Sequence, residues 1–250
     1  MIERSDDDGV AVLTLAHGPV GAMDLELCEA VAAHFRALAD DPARAVVLTG
    51  SGRAFSAGVD LRRYLDGGEP YVRRFLPALS EAFLAAFELP KPLVAAVNGH
   101  AIAGGCVLAA TADLLLMAEG AGRIGVPEIK VGVPFPPVPL EIVRYAVGEV
   151  AARRLVVGAA THPPAEAAAI GLVHEVVPPG ELLPRAVAAA RAMATDVPPD
   201  TFAVTKAQLR RETRERIARR ADEEETATRL WIRRAGDGWT AEYLAAATRR

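Results

Sequence analysis

The amino-acid sequence predicts an α/β fold, because short apolar runs alternate with amphipathic stretches over most of the chain. With 51% hydrophobic and 24% charged residues among 250, the chain can bury a large core. From about Pro198 the sequence becomes charged and helical, without the apolar runs that precede it. We therefore expect a core over residues 1–197 and a C-terminal helical region over residues 198–250.

The individual elements follow from the period of the apolar residues along the chain. Strands are predicted at residues 10–15, 45–49, 93–97, 114–118 and 174–177. Helices are predicted at residues 24–39, 70–87, 200–231 and 240–247. Asp24 is a suitable N-cap for the first helix. The second helix should end before Pro90 and Pro92, because the residue before a proline disfavours the helical conformation.

Composition excludes several functional classes. The net charge of −4 argues against a nucleic-acid-binding protein. No apolar run approaches the ~18 to 20 residues that span a membrane, and the acidic N-terminus has no signal-peptide pattern. Cys28 and Cys106 form no CxxC motif, and the five histidines form no ligand pattern. We expect a cytoplasmic protein with no metal site and no membrane or nucleic-acid partner.

Two small-residue segments follow predicted strands. The segment SGRAFSAGVDL at residues 51–61 lets the backbone approach a ligand closely, although by itself it also fits a simple tight turn. It is no serine-hydrolase elbow, because Ala54 stands where GxSxG requires glycine. The segment NGHAIAGGC at residues 98–106 leads into a predicted helix near Gly104, whose first N–H groups can bind negative charge. Its glycines equally suit close packing of a helix on a strand.

Together with two later segments, these motifs resemble the crotonase superfamily, the enoyl-CoA hydratases and isomerases. The four matching segments, in family order, are RAFSAGVDL at 53–61, KPLVAAVNGHAIAGGC at 91–106, VPEIKVGV at 126–133 and PPAEAAAIGLVHEVVP at 163–178. The resemblance implies a crotonase-type spiral of ββα repeats and a C-terminal helical trimerisation region. It also implies a homotrimer or a dimer of trimers.

The resemblance further implies an acyl-CoA thioester as substrate, with coenzyme A as part of the substrate and no separate cofactor. The backbone N–H groups of Val59 and Gly104 would form an oxyanion hole for the thioester oxygen, and Glu128 would move the proton. The substrate-binding residues expected on this basis are Arg53, Ala54, Phe55, Ala57, Leu61, Phe135 and Lys206. For Lys206, which would lie near the 3′-phosphate, a solvated basic helix face is the alternative.

One departure from the hydratase pattern bears on the reaction. Hydratases of this family usually carry a second glutamate directly after the GGC cysteine, where this chain has Val107. Hydration benefits from two carboxylates, whereas one base suffices to shift a double bond, so the sequence favours a Δ3,Δ2-enoyl-CoA isomerase. A 2-enoyl-CoA hydratase using Glu128 alone or with Glu141 is the alternative, and an acyl-CoA-binding paralogue with little activity is a further one.

Two glutamates also have simpler interpretations. Glu128 follows Pro127 and suits the exposed first turn of a helix. Glu141 suits a helix surface beside Arg144. The proline-rich stretch at residues 133–139 replaces the glycines of the hydratases and should stiffen the wall of the acyl pocket.

Overall fold

The computed structural model describes residues 1–248, apart from the side chain of Ala221. The strands are β1 (Ile2–Asp7), β2 (Val10–Leu15), β3 (Ala22–Met23), β4 (Ala45–Gly50), β5 (Ala54–Ser56), β6 (Gly58–Val59), β7 (Leu93–Val97), β8 (His100–Ile102), β9 (Leu114–Ala118), β10 (Ile124–Gly125), β11 (Thr161–His162) and β12 (Glu175–Val177). The helices are α1 (Leu25–Ala39), α2 (Leu61–Phe87), α3 (Gly104–Ala110), α4 (Glu128–Val131), α5 (Pro137–Gly158), α6 (Pro164–Ala169), α7 (Leu182–Ala194), α8 (Pro199–Arg219), α9 (Ala221–Gly236) and α10 (Trp239–Ala247).

The strands of the described chain form two layers that alternate along the sequence. The main sheet has the order β1-β2-β4-β7-β9-β12, in which β1 is antiparallel to β2 and the remaining pairs are parallel. The second sheet has the order β11-β10-β8-β5, and β3 pairs with β6. Three times, a main-sheet strand is followed by a second-sheet strand and then a helix, in β4-β5-α2, where the short β6 precedes the helix, in β7-β8-α3 and in β9-β10-α4. The predicted α/β class is therefore confirmed.

Both faces of the main sheet are covered, which explains why its strands are apolar throughout. Along β4, Val46 and Leu48 belong to the core beneath α1 and α2, because alternate side chains of a strand point to the same face. Ala45 and Val47 point to the opposite face, where α7 covers them. The second sheet and the pocket described below lie on the same side of the main sheet as α2.

Several predicted boundaries are confirmed and others move for identifiable reasons. Asp24 caps α1 by accepting a hydrogen bond from the Leu27 N–H at 2.8 Å. Helix α2 begins well before residue 70 because Asp60 caps its first turn, and the chain kinks at Gly68 with φ 53° before continuing. The single helix predicted over 200–231 is divided in two at Arg220. Strand β1 and helix α7 were not predicted, and a helix was expected around Glu141 without the bounds of α5.

The C-terminal helices pack on the core of their own chain. Helix α9 lies against α2, and α10 lies against α4. The Tyr64 hydroxyl donates to the Trp231 carbonyl at 2.6 Å, and the Trp231 residue is 3% exposed. The exposed Glu225 carboxylate lies 3.7 Å from Arg73 of α2. The division at residue 198 stays a prediction. Within the described residues, no helix has both the length and the hydropathy to cross a bilayer.

Candidate active site

A pocket of about 630 Å³, partly open to solvent, lies where the two predicted motif segments meet. Its walls come from residues 57–61, 102–107 and 127–139, together with α2, α9 and α10. The sequence-predicted residues that line it are Ala57, Val59, Leu61, Gly104, Glu128 and Phe135. The chain therefore brings together residues from six separate segments, most of them apolar, around one carboxylate.

The backbone at Val59 and Gly104 presents two N–H groups at adjoining walls of this pocket. Gly104 is the first residue of α3, and the first N–H groups of a helix have no partner within it. Where β3 and β6 pair, the Asp60 N–H donates to the Met23 carbonyl at 2.9 Å. Because successive N–H groups of a strand point to opposite sides, the Val59 N–H points away from β3.

Gly58 permits this close approach of the two segments. Its φ of +83° belongs to the left-handed region that favours glycine. A Cβ at this position would lie 2.4 Å from the Ile102 carbonyl oxygen and 3.3 Å from the Gly104 nitrogen. Two N–H donors beside one small space are what the stabilisation of a developing oxyanion requires.

Glu128 begins α4 and is buried, with 8% of its surface exposed. Burial raises the pKa of this carboxyl to about 8. Within the described residues, its Oε2 atom has no hydrogen-bond partner. The interpretation of Glu128 as an exposed first-turn acid is therefore wrong. A carboxyl whose pKa lies near neutrality is suited to accepting and returning a proton.

The other expected acid position presents an aliphatic side chain. Val107 of α3 lines the pocket and is 1% exposed. Among the described residues that line this pocket, Glu128 carries the one carboxylate. Glu128 is therefore the one carboxyl group of this lining that can act as an acid or a base.

Glu141 is not a second acid of this pocket, because it lies outside the lining and is fully buried. Its carboxylate lies 2.9 Å from Arg144, 2.9 Å from Arg216 and 3.2 Å from Arg220. The predicted neighbour Arg144 is correct, but the predicted surface position is wrong. The end of α8 covers this part of α5, and three guanidinium groups form ion pairs with the carboxylate.

Four of the predicted substrate-binding residues, Lys206 and three residues of the first motif, lie outside the pocket lining. Ala54 and Phe55 are buried at 3% and 0% exposure, and they form β5 of the second sheet. Arg53 is exposed, and its carbonyl accepts a hydrogen bond from the His100 N–H at 3.4 Å. The contact of these residues with coenzyme A stays a prediction.

Lys206 lies away from the pocket, between α8 and the start of β9. Its ammonium donates to Asp113 Oδ2 at 2.7 Å and to the Lys91 carbonyl at 2.7 Å. Burial lowers the pKa of Lys206 to about 8. Arg210 is also buried and donates to Asp113 Oδ1 at 2.7 Å. A solvated basic face is therefore wrong for Lys206, and its phosphate contact stays a prediction.

The sequence analysis missed four pocket residues that lie outside the motif segments and the proline-rich stretch. Leu79 and Phe83 lie on α2 at a spacing of four, so the helical period contains their signal. Trp231 of α9 and Tyr243 of α10 close the pocket from the C-terminal region. Nothing local in the sequence indicates that these two aromatic residues reach a site formed so much earlier in the chain.

Comparison with known proteins identifies relatives of this chain. The profile of the family described as "Enoyl-CoA hydratase/isomerase" matches residues 5–234. A protein of Thermus thermophilus provisionally named as an enoyl-CoA hydratase is 44% identical over 163 residues, which are 64% of this chain and 64% of that protein. Human mitochondrial enoyl-CoA delta isomerase 1 is 30% identical over 226 residues, 89% of this chain and 74% of the human protein.

The likeness extends to the fold. The crystal structure of human mitochondrial delta3-delta2-enoyl-CoA isomerase matches with a TM-score of 0.90 at 27% identity, covering 99% of this chain and 98% of the human one. The crotonase-type fold expected from the four sequence segments is thereby confirmed. On the extent of the family match and the likeness of the fold, the chain belongs to the enoyl-CoA hydratase/isomerase family.

Proposed function

We propose that the protein is an enoyl-CoA isomerase that moves the double bond of a 3-enoyl-CoA to the 2-position. The observation that carries this proposal is the pairing of one buried carboxylate, Glu128, with the aliphatic Val107 in the same pocket. Isomerisation needs one group that removes a proton and returns it. Hydration additionally needs an activated water, for which a second carboxylate is useful.

In the proposed mechanism the ionised Glu128 takes a proton from C2 of the 3-enoyl thioester. The electron pair left at C2 delocalises over the C3–C4 double bond and onto the thioester oxygen, giving a dienolate. The N–H groups of Val59 and Gly104 donate to that oxygen, and losing one such donor typically lowers the rate by about 10² to 10³. Glu128 then returns the proton to C4, which leaves the double bond between C2 and C3 and regenerates the carboxylate.

The remaining walls suit the acyl part of such a substrate. The pocket has an apolar surface formed by Leu79, Phe83, Phe135 and Trp231. These side chains keep water away from the dienolate. Coenzyme A is part of the substrate in this proposal, and no further cofactor is needed for the proton transfer. Assembly into a trimer or a dimer of trimers and a cytoplasmic location remain predictions, the first of which sedimentation analysis tests directly.

A 2-enoyl-CoA hydratase is the second candidate, because the Thermus relative carries the name of a hydratase. In that reaction Glu128 would have to activate water for attack on C3, with the proton for C2 coming from the same carboxyl or from water. An acyl-CoA-binding protein with little activity is the third candidate. It predicts tight binding of CoA thioesters without conversion.

Product mass separates these candidates. The purified protein is incubated with a 3-enoyl-CoA and, separately, with a 2-enoyl-CoA. Conversion of the 3-enoyl substrate without a mass change, with little change of the 2-enoyl substrate, supports the isomerase. Rapid addition of water to the 2-enoyl substrate supports the hydratase instead, and binding without conversion of either supports the third candidate.

The role of Glu128 is tested by Glu128→Gln, which keeps the shape of the side chain and removes its basicity. Isomerisation should fall by at least about 10², while the thermal midpoint of unfolding stays near that of the parent. Glu225→Gln, at an exposed glutamate of α9, is the control. Unchanged turnover in Glu128→Gln contradicts the proposal.

A further inference from the structure

Helix α4, which carries Glu128, is a single turn of four residues. Its own hydrogen bonds include those from the Lys130 and Val131 N–H groups to the Pro127 carbonyl, at 2.9 and 3.2 Å. A helix of this length is unstable by itself, because the cost of its first turn is not recovered by further turns. Its last carbonyl groups also have no partner within the helix. Other parts of the chain must therefore fix the orientation of Glu128.

The carbonyl groups of Lys130, Val131 and Gly132, at the end of α4, accept hydrogen bonds from side chains of α9 and α10. These bonds run from Trp239 Nε1 to Lys130 O at 3.1 Å, from Thr240 Oγ1 to Val131 O at 3.0 Å and from Arg234 Nε to Gly132 O at 3.1 Å. A fourth bond runs from Trp231 Nε1 to Pro134 O at 2.9 Å. The C-terminal helices thus hold the backbone of the segment that carries the carboxylate.

The residues at the contact between α4 and α10 are closely packed. A Cβ at Gly132, whose φ is +99°, would lie 2.4 Å from Trp239 Cδ1. Thr240 is fully buried, so its hydroxyl is shielded from water that could replace it as a partner for the Val131 carbonyl. Thr240 is not part of the pocket lining, whereas Trp231 is.

We propose that Thr240 is a positioning residue for Glu128, acting through its hydrogen bond to the Val131 carbonyl. The inference rests on the proposed role of Glu128 as the proton shuttle. One carboxylate has to reach both C2 and C4 of the substrate, and a misplacement of about 1 Å can cost about 10² in rate. The Thr240 hydroxyl restricts the turn on which that carboxylate is mounted.

The test compares Thr240→Val, which removes the hydroxyl at constant shape, with Thr240→Ser, which retains it. In Thr240→Val we expect kcat for isomerisation to fall about 10- to 100-fold, with KM within about threefold of the parent because Thr240 itself does not line the pocket. Thr240→Ser should restore most of the lost kcat. Thr248→Val is the matched control, since the Thr248 hydroxyl donates at 3.0 Å to the Leu244 carbonyl of the same helix and does not contact α4.

A second readout distinguishes positioning from general destabilisation. A looser α4 admits water to Glu128, so the midpoint of the pH profile of kcat/KM should move below that of the parent in Thr240→Val. The Cys106 thiol, which interacts electrostatically with Glu128, has its pKa raised by burial and stays protonated. If Thr240→Val does not fold, Trp239→Phe removes the donor to Lys130 at a residue that is 55% exposed and should give the same split between kcat and KM.

The outcomes separate this inference from the function on which it rests. Loss of kcat in Thr240→Val with recovery in Thr240→Ser supports positioning. Equal kcat in both variants and the parent overturns it while leaving the base assignment intact, provided that Glu128→Gln is inactive. An equal loss in Thr240→Val and Thr248→Val also overturns it. Turnover by Glu128→Gln contradicts the base assignment whatever Thr240 does.

Discussion

The Glu141 carboxylate, which has no exposed surface, lies 2.9 Å from the Arg216 guanidinium of α8. Arg144 and Arg220 complete a cluster of three cations around one acid. The cluster joins α5, which follows the pocket wall, to the charged C-terminal region. Glu141 therefore contributes to the fold rather than to proton transfer.

This interpretation predicts the effect of Glu141→Gln. The free energy of unfolding should fall by about 3 kcal/mol, the lower end of the cost of breaking a buried ion pair, because water reaches the partly exposed arginines. The activity of the folded protein should stay near that of the parent. Denaturant unfolding and kcat/KM check the two parts. Glu149→Gln is the control, since Glu149 binds the same Arg144 at 2.7 Å but is 68% exposed. A large loss of kcat without a loss of stability would assign Glu141 to catalysis.

Installing the missing acid tests the reason for the proposed reaction. In Val107→Glu we expect hydration of a 2-enoyl-CoA to rise at least about tenfold, since a positioned acid–base group contributes about 10² to 10⁴. Stability should decrease, because the site is 1% exposed and a carboxyl is costly to bury there. Val107→Gln matches the size without the acidity and should show no gain. If the glutamate variant also shows none, the pocket differs from that of a hydratase in more than this residue.

The raised pKa of Glu128 predicts how isomerisation depends on pH. The base must be ionised, and a carboxyl with a pKa of about 8 is mostly protonated below that value. The rate constant kcat/KM, which reports on the free enzyme, should therefore rise about tenfold per pH unit up to about pH 8 and then level off. Initial rates measured on protein whose folding is checked at each pH give the profile. A flat profile between about pH 6 and pH 9 is incompatible with this description of the carboxyl.

Two glycines with nearly equal φ angles allow a matched test of the proposed oxyanion site. Gly58 has φ +83° and no room for a Cβ, whereas Gly9 has φ +80° and no atom within 4 Å of that position. Gly9→Ala should cost about 1 kcal/mol of stability from its backbone conformation alone and leave activity unchanged. Gly58→Ala should also displace the Val59 and Gly104 N–H groups and lower kcat/KM by about 10² to 10³. Similar activities in the two variants would separate Gly58 from the site.

The sequence predicted those parts of the structure that are specified locally. The strands at 10–15, 93–97 and 114–118 coincide with the observed ones, and Asp24 caps α1 as expected. The start of α5 escaped prediction because Pro137 and Pro139 suggest a loop, although proline is favoured in the first turn of a helix. The start of α2 was hidden by Gly68 and Pro70, which interrupt its period.

The pocket could be predicted only in part, for a physical reason. Val59, Gly104 and Glu128 lie in short motifs, and these motifs identify them as candidate site residues from the sequence alone. The burial of Glu141 depends on Arg216 and Arg220, and the closure of the pocket depends on Trp231. Such contacts join residues far apart in the chain, and a surface glutamate and a buried one look alike in local sequence. Which residues come into contact across such long stretches of sequence depends on the whole fold.

The support of α4 by the C-terminal helices has a consequence for synthesis. Translation delivers Glu128 to the ribosome exit long before Trp231, Arg234 and Thr240, whose side chains satisfy the carbonyl groups beyond it. A nascent chain that has not reached these residues possesses every group of the proposed chemistry, but the turn that aims the carboxylate has unpaired carbonyl groups. Helices that emerge much later complete a site whose reacting groups were made first.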